Sequence, residues 1–533
     1  MAKNIKVSTT EKFISSFSGS VPVGTIVETL GYTTEGDGGG ASWKKTATTG
    51  TASKSPAQLG NALLNDAGGN EWVLASKICD VKMTGSADGV DSKLSLQAAF
   101  NSLLPIYVSA GTYLASDVTI PNTCISVDWD IGAWVKANAD GAYCVLVDGY
   151  KATGGEESGT RFNINRIQVT GNKRAYANLK GVGLYFVLRS EVEHIEADLF
   201  FNTGVDFIET VKESNFGTIR TKRCGTTLGL NSYSAAVDIT QRSNIAGDAH
   251  NNITIENMQG VYNRGPDLRI DSDIDTAPVP RKININNYFL HGNIPTSDNP
   301  IPNVLTTPEK DDRLIIDIGK CEDVFFGTGS AVFGGNLVPL IRIEDGLFGS
   351  PTNVTFDNVL IGARYSKFGT PTNSHGIQQS SGRLNIKNFV AQSQFTGFNA
   401  INSLGGECNV DFSFVSIETG GVLITNTAEV KLYNTDVDFS GRKLSGVSQY
   451  IGNNGSATTR EGVSGSDLTA SEIKYLATAN RGIISTTSIH ELQSVGLPTT
   501  ASLIADGVDS ALGYDGTNLR WFDGTLWKTV TVT

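Results

Sequence analysis

Carboxylate and guanidinium side chains recur at one position in a set of short apolar segments through the middle of this chain. Set side by side, GVGLY (181–185), GVDFI (204–208), AVDIT (236–240), DLRID (267–271), LIIDIG (314–319) and LIRIED (340–345) share an apolar residue near their start. These residues are Val182, Val205, Val237, Leu268, Ile316 and Ile341. Side chains alternate between the two faces of a strand, so if these six point inward, the residues after them point outward. That outward column is Gly183, Asp206, Asp238, Arg269, Asp317 and Arg342. Tyr185, Ile208, Thr240, Asp271, Gly319 and Glu344 follow one step on, with Arg242 and Asp273 beyond.

Such a patch has the parts for work on sugars. Hydrolysing a glycosidic bond takes two carboxyl groups, about 5–5.5 Å apart when configuration is retained and about 6.5–9.5 Å apart when it is inverted. Arginine grips hydroxyls or uronates, and an aromatic ring stacks on a sugar face. The spacing points to Asp238 and Asp271 as the carboxyl pair, with Asp206 as the alternative partner. Arg242, Arg269, Tyr185 and Asp273 would bind substrate. The competing account is that Asp and Arg alternate only as cross-strand ion pairs on a solvated face.

The elements that must position these groups announce themselves by repetition. RFNINRIQV (161–169), NITIENM (252–258), KININNYF (282–289), NVTFDNVL (353–360), RLNIKNFV (383–390) and NVDFSFVS (409–416) are one alternating phrase rewritten. Several carry an Asn just after the alternation. Aligned on the first apolar residue, Ile253 to Ile283 is 30 residues, Val354 to Leu384 is 30, and Leu384 to Val410 is 26. Self-similarity at that pitch, with strands and Gly or Asn turns between copies, predicts a solenoid with one continuous core. The expected fold is all-β: a right-handed single-stranded parallel β-helix with a small N-terminal β-rich head and a C-terminal β module.

Composition narrows the functions. A net charge of -12 argues against a nucleic-acid groove, which needs a basic face,. No run is long enough to insert in a membrane, and MAKNIKVSTTEKF lacks the apolar stretch of a secretory signal,. The expectation is synthesis in a cytoplasm and release by lysis or on a particle. Six cysteines (Cys79, Cys124, Cys144, Cys224, Cys321, Cys408) lie far apart and suit buried, reduced thiols,. No metal or cofactor is implied. The five histidines show no HExxH spacing, and DLRIDSDID (267–275) lacks the sixth-position glycine of a calcium loop,. GDGGG (36–40) has no Gly-Lys-Ser/Thr and no helix after it, so it is a tight turn rather than a phosphate cradle,. No GxSxG elbow is present,. SEVEHIEAD (190–198) gathers Glu191, Glu193, Glu196 and Asp198 beside His194, most simply as an exposed charged edge.

Along the chain, 1–76 would be the head and 77–440 the β-helix, with a capping helix near 91–103. In that helix Asp91 would be the N-cap, and Leu96, Ala99, Phe100 and Leu103 one apolar stripe,. The Gly/Ser/Thr-rich stretch 441–468 would be a linker. Residues 469–533 would form a trimerisation or carbohydrate-binding module, with a short helix at SEIKYLATA and two aromatic-Asp-Gly-Thr turns at 514–517 and 522–525,.

The GDGGGASW head, the DGVDSKLSLQAAF segment and the AGTY strand leading into coils resemble bacteriophage tailspike proteins of the pectate-lyase-like superfamily. The usual helix motif has paired Asp residues and Ile-Gln, where this chain has Asp91, Ser92 and Leu96-Gln97. The resemblance implies a homotrimer on a virion tail, attached by its head or through an adaptor protein. It further implies that the protein binds and depolymerises a bacterial surface polysaccharide (capsule, exopolysaccharide or O-antigen), acting outside the cell. Endo-glycosidic hydrolysis is the leading expectation. A polysaccharide lyase acting by β-elimination and a non-catalytic receptor-binding fibre are the alternatives.

Overall fold

The computed structural model describes residues 4–152, 159–229, 232–242, 249–273, 279–291, 314–332, 339–344, 349–363, 375–393 and 399–417, with a few short strands beyond. The chain divides into two compact units, the first made of 1–334 and 345–352, the second of 335–344 and 353–533.

In the first unit, the head is a five-stranded sheet in which Ile26–Thr29, Ser42–Thr49, Asn70–Leu74 and Leu63–Asn65 pair antiparallel around Phe13, Trp43 and Trp72, all fully buried. The indole of Trp72 donates to Asp66 at 3.0 Å, so its one polar atom is satisfied inside the core,. The glycine-dense turn closes on Asp37, whose carboxylate accepts the N–H groups of Tyr32, Thr33, Thr34 and Gly39. Those bonds outweigh the effect of burial and hold Asp37 below the ordinary carboxylate range,.

The segment after the head forms a helix over Lys93–Phe100 with Ser92 at its N-cap. Asp91 is one residue further out and accepts the N–H of Lys93 at 3.2 Å. Leu96, Ala99 and Phe100 are fully buried, as the stripe requires, but Leu103 is 71 % exposed. The helix has ended by then, and Leu103 takes a left-handed φ of 63° that turns its side chain away,.

The coils that follow form a parallel β-helix. One sheet stacks Val118–Pro121, Tyr143–Asp148, Lys180–Tyr185, Val205–Glu209, Val237–Gln241, Leu268–Ser272 and Ile316–Ile318, every pair parallel. The other stacks Asn163–Thr170, Glu191–Asp198, Lys212–Lys222, Asn251–Val261, Arg281–His291 and Glu322–Val332. Parallel neighbours require long returns, and here each return is simply the rest of a coil. Their inward residues (Val205, Phe207, Val237, Ile239, Leu268 and Ile270 among them) have no exposed surface, each worth about 1.5–3 kcal/mol of burial,.

The Asn after two of the alternating phrases has a structural task. The Nδ2 of Asn287 donates to the carbonyl of Glu256 on the coil before at 3.0 Å, and Asn257 does the same to Gly217 at 3.4 Å. At this bend the register skips a residue, leaving carbonyls that strand pairing alone does not satisfy,.

In the second unit, Asn353–Ala363, Arg383–Ser393 and Glu407–Ile417 are parallel strands of the same kind. Ile253 faces Ile283 and Val354 faces Leu384, as the repeat spacing requires. Leu384, however, faces Cys408, and Val410 faces Ile386. The last repeat is therefore 24 residues long, not 26. A two-residue slip keeps every side chain on its original face, so the alternation alone carries no signal against it.

All six cysteines are buried and free. The chain ends in three short antiparallel strands, Leu512–Tyr514, Leu519–Phe522 and Trp527–Thr529. The 441–468 stretch falls almost entirely outside the described residues, and the SEIKYLATA segment does so completely.

Candidate active site

The inward and outward columns of the first sheet stack in register. Val182, Val205, Val237, Leu268 and Ile316 are successive neighbours, and so are Gly183, Asp206, Asp238, Arg269 and Asp317. Arg342 and Glu344 belong to the second unit, where they pair with each other at 2.9 Å.

Adjacent coils lie about 4.8 Å apart, so Asp206 and Asp238 would repel if nothing stood between them. Arg242 stands there. One guanidinium nitrogen is 2.6 Å from Asp206 Oδ1 and the other is 2.6 Å from Asp238 Oδ2. Asp206 Oδ2 also accepts from Lys180 Nζ at 2.6 Å and from the hydroxyl of Tyr143 at 2.7 Å. The Asp206 side chain has no exposed surface. Burial opposes its charge, but Arg242 and Lys180 more than compensate and hold it below the ordinary aspartate value,. The other oxygen of Asp238 accepts the hydroxyl of Thr240.

Asp271 is built differently. Its Oδ2 takes Arg269 at 2.8 Å, and its Oδ1 takes the backbone N–H groups of Ser272 and Lys320, each at 2.8 Å. Arg269 reaches Asp273 as well, at 2.9 Å. Burial weakens the Arg269 charge, but Asp238, Asp271 and Asp273 around it raise its pKa. Its Nε is buried with no hydrogen-bond partner among the described residues. Gly319 leaves the space that the Asp271 carboxylate occupies, since a Cβ there would lie 2.3 Å from Oδ1.

Asp238 is in register with Arg269, and Thr240 with Asp271. Asp238 and Asp271 are therefore diagonal neighbours on one face, a relation that sets their backbone positions about 8 Å apart. Tyr185 lies three strands from Asp271. A bulge after Leu184 pairs Tyr185 with Glu209 instead of Ile208. Glu209 turns inward, 3 % exposed, and accepts from Gln241 at 2.9 Å.

The other acidic segment lies on the other sheet. There Glu196 accepts from Gln168 at 3.0 Å and from Arg220 at 3.2 Å, and sits 3.6 Å from His194. Glu193 falls at the bend that the register skips, so it leaves the row that His194 and Glu196 share. Among the described residues, no cluster of three His, Cys, Asp or Glu side chains is placed to hold a metal ion.

No family model matches the chain, and no curated protein matches it. Solved structures do. ORF18 of Geobacillus virus E2 is similar at 13 % identity over 100 % of both chains, with a TM-score of 0.44. The tailspike protein of Acinetobacter phage vB_ApiP_P1 is similar at 12 % identity, over 79 % of this chain and 71 % of that one, with a TM-score of 0.45. The surface protein and adhesin PfbA of Streptococcus pneumoniae is similar at 10 % identity, over 68 % of this chain and 99 % of that one, with a TM-score of 0.40. Tailspike proteins recur among these structures. With identities of 10–13 % and TM-scores of 0.40–0.45, function has to be read from the chemistry of the site.

Two members of the cluster, Tyr143 and Lys180, are absent from the sequence reading. They are in register with each other on the coils before Asp206 and reach it by leaning along the solenoid. Gly183 permits this, because a Cβ there would press to 2.8 Å of the Tyr143 ring. That glycine, next to Asp206 in an otherwise charged aligned column, was the one available signal. Burial and the Asp206 charge raise the pKa of Tyr143 far above the usual phenol value,.

Proposed function

We propose that this protein is a tailspike-type depolymerase that binds a bacterial surface polysaccharide along the Asp–Arg face and cleaves it internally by hydrolysis. The observation that carries the reading is the diagonal Asp238–Asp271 pair with Arg269 beside both. Carboxyls on diagonal rather than directly facing positions leave room for a water between carboxyl and sugar, which suits the inverting arrangement. In this reading Asp206 carries no proton. It has no exposed surface, the two cations Arg242 and Lys180 hold it charged, and it fixes the charge that holds Arg242 against Asp238. The outer edges of Arg242, Arg269 and Lys180, each about a quarter exposed, meet the sugar. The protein would act as a homotrimer on a virion tail, held by its head or an adaptor, on the outside of a bacterium.

β-Elimination is supported by one feature, the meeting of Tyr143, Lys180 and Arg242. The Tyr143 hydroxyl is committed to the Asp206 carboxylate at 2.7 Å, which favours hydrolysis.

The test is incubation of the purified protein with a panel of capsular and O-antigen polysaccharides, following reducing ends and ultraviolet absorbance together. Reducing ends without absorbance support the proposal. Absorbance rising with them replaces it with a lyase. Binding without any shortening of the polymer replaces it with an adhesin.

A further inference from the structure

Beyond the charged cluster the same face carries an aromatic group that hydrolysis does not call for. Tyr150 and Tyr185 stand with ring centroids 6.1 Å apart and planes 38° from parallel. Both pack edge-on against Phe186, at 5.0 and 4.7 Å. The division of labour is clear from burial. Phe186 has no exposed surface, whereas Tyr150 is 38 % exposed and Tyr185 is half-buried.

The arrangement is held from the backbone. Phe186 takes a φ of 51°, a left-handed conformation that is costly for a bulky residue and that drives its ring beneath the two phenols,. Asp148 faces Tyr185 in register and accepts the N–H of Tyr150 at 3.0 Å. Asn122 donates to the Tyr150 carbonyl on the other side. Two rigid, amphipathic rings held outward over a buried aromatic base make a stacking surface for an apolar sugar face.

Its position gives it a purpose. Tyr185, the strand Val205–Glu209, Thr240 and Asp271 follow one another along one face, so Tyr185 lies two coil steps, about 10 Å, from Asp238 and three, about 14 Å, from Asp271,. Asp206 and Arg242 fill the interval between Tyr185 and Asp238. That interval exceeds the span of a single monosaccharide.

We propose that Tyr150 and Tyr185 form a remote sugar-stacking subsite, through which the protein selects polysaccharide chains several units long over short fragments. The proposal rests on the polysaccharide reading above. Asp148 acts as a positioning residue for Tyr150.

The test uses a size-fractionated partial acid hydrolysate of a polysaccharide that the full-length protein binds. Affinity is measured by calorimetry in the Asp271→Asn background, so that cleavage does not consume the probe. Long fragments should bind more tightly than the shortest ones. Tyr150→Ala and Tyr185→Ala should each weaken long fragments roughly tenfold and the shortest ones much less. Tyr185→Phe, which keeps the ring, should restore the length preference. Equal weakening at all lengths, or none, overturns the subsite. Continued cleavage by Asp271→Asn with a length-dependent tyrosine effect overturns the carboxyl assignment and leaves the subsite standing. If no polymer in the panel binds, both readings fall.

Discussion

Asp206 and Asp238 stand side by side on adjacent coils, and a single guanidinium, that of Arg242, touches both at 2.6 Å. The Asp206 side chain has no exposed surface, whereas that of Asp238 keeps 8 %. The solenoid has folded negative charge into its wall and placed the neutralising cations over it.

Removing Arg242 would leave that charge uncompensated. Arg242→Ala should lower stability by about 3–5 kcal/mol, the cost of breaking a buried pair from one side. The exposed Arg189–Glu213 pair, at 68 % and 48 % exposure, is the comparison. Arg189→Ala should cost about 1 kcal/mol or less. Urea unfolding of both variants checks the ordering, and equal losses would show that the Arg242 cluster is solvated.

Asp238→Asn and Asp271→Asn should each cut polymer cleavage by about 10²–10⁴-fold, the usual worth of a positioned acid or base. Binding of the polymer should survive both. Reducing-end release at fixed polymer concentration, with a parallel pull-down of polysaccharide, separates the two effects. Full activity in both variants would refute the carboxyl pair.

Gly183→Ala should detach Tyr143 from Asp206. The new Cβ would meet the Tyr143 ring, Ile208 and Leu146 at 2.8–2.9 Å, so side chains must shift at about 1–3 kcal/mol,. Tyr143→Phe removes only the hydroxyl bond to a charged group, worth about 1.5–3 kcal/mol. If the glycine serves only to admit the tyrosine, combining the two changes should cost less than the sum of the single effects.

Two buried groups tie stability to pH. Burial pushes His250 down to about 4, and the Val211 N–H donates to its Nδ1 at 3.2 Å. Unfolded, a histidine titrates near pH 6.5, so between about 6.5 and 4 the unfolded chain binds a proton that the folded chain refuses. Stability should therefore fall as pH drops through that window, by up to about 3 kcal/mol from this residue. Asp206, lowered by Arg242 and Lys180, contributes at lower pH. Its contribution is complete above the unfolded value of about 3.9 and is lost as pH falls through the folded value. Thermal midpoints from pH 7 to 4.5 should slope downward, and His250→Asn should flatten that slope.

How far the sequence reached is clearest from particular residues. The alternating phrases and their following Asn residues determined a stack of parallel coils, because strand alternation and a bend that needs a side-chain donor are local requirements. The short apolar segments of the other sheet determined which residues share the outward column, since Gly183, Asp206, Asp238 and Arg269 sit at equal offsets from inward apolar residues. The tertiary structure decided what those offsets cannot encode. The bulge after Leu184 skipped Ile208 and set the inward Glu209 opposite Tyr185, while Leu384 met Cys408 rather than Val410 because a slip of two preserves the face pattern,. Tyr143 and Lys180 joined the cluster from earlier coils, 63 and 26 residues away from Asp206 in the chain. Only packing brings such groups within hydrogen-bond reach, and only burial sets the charge they must balance.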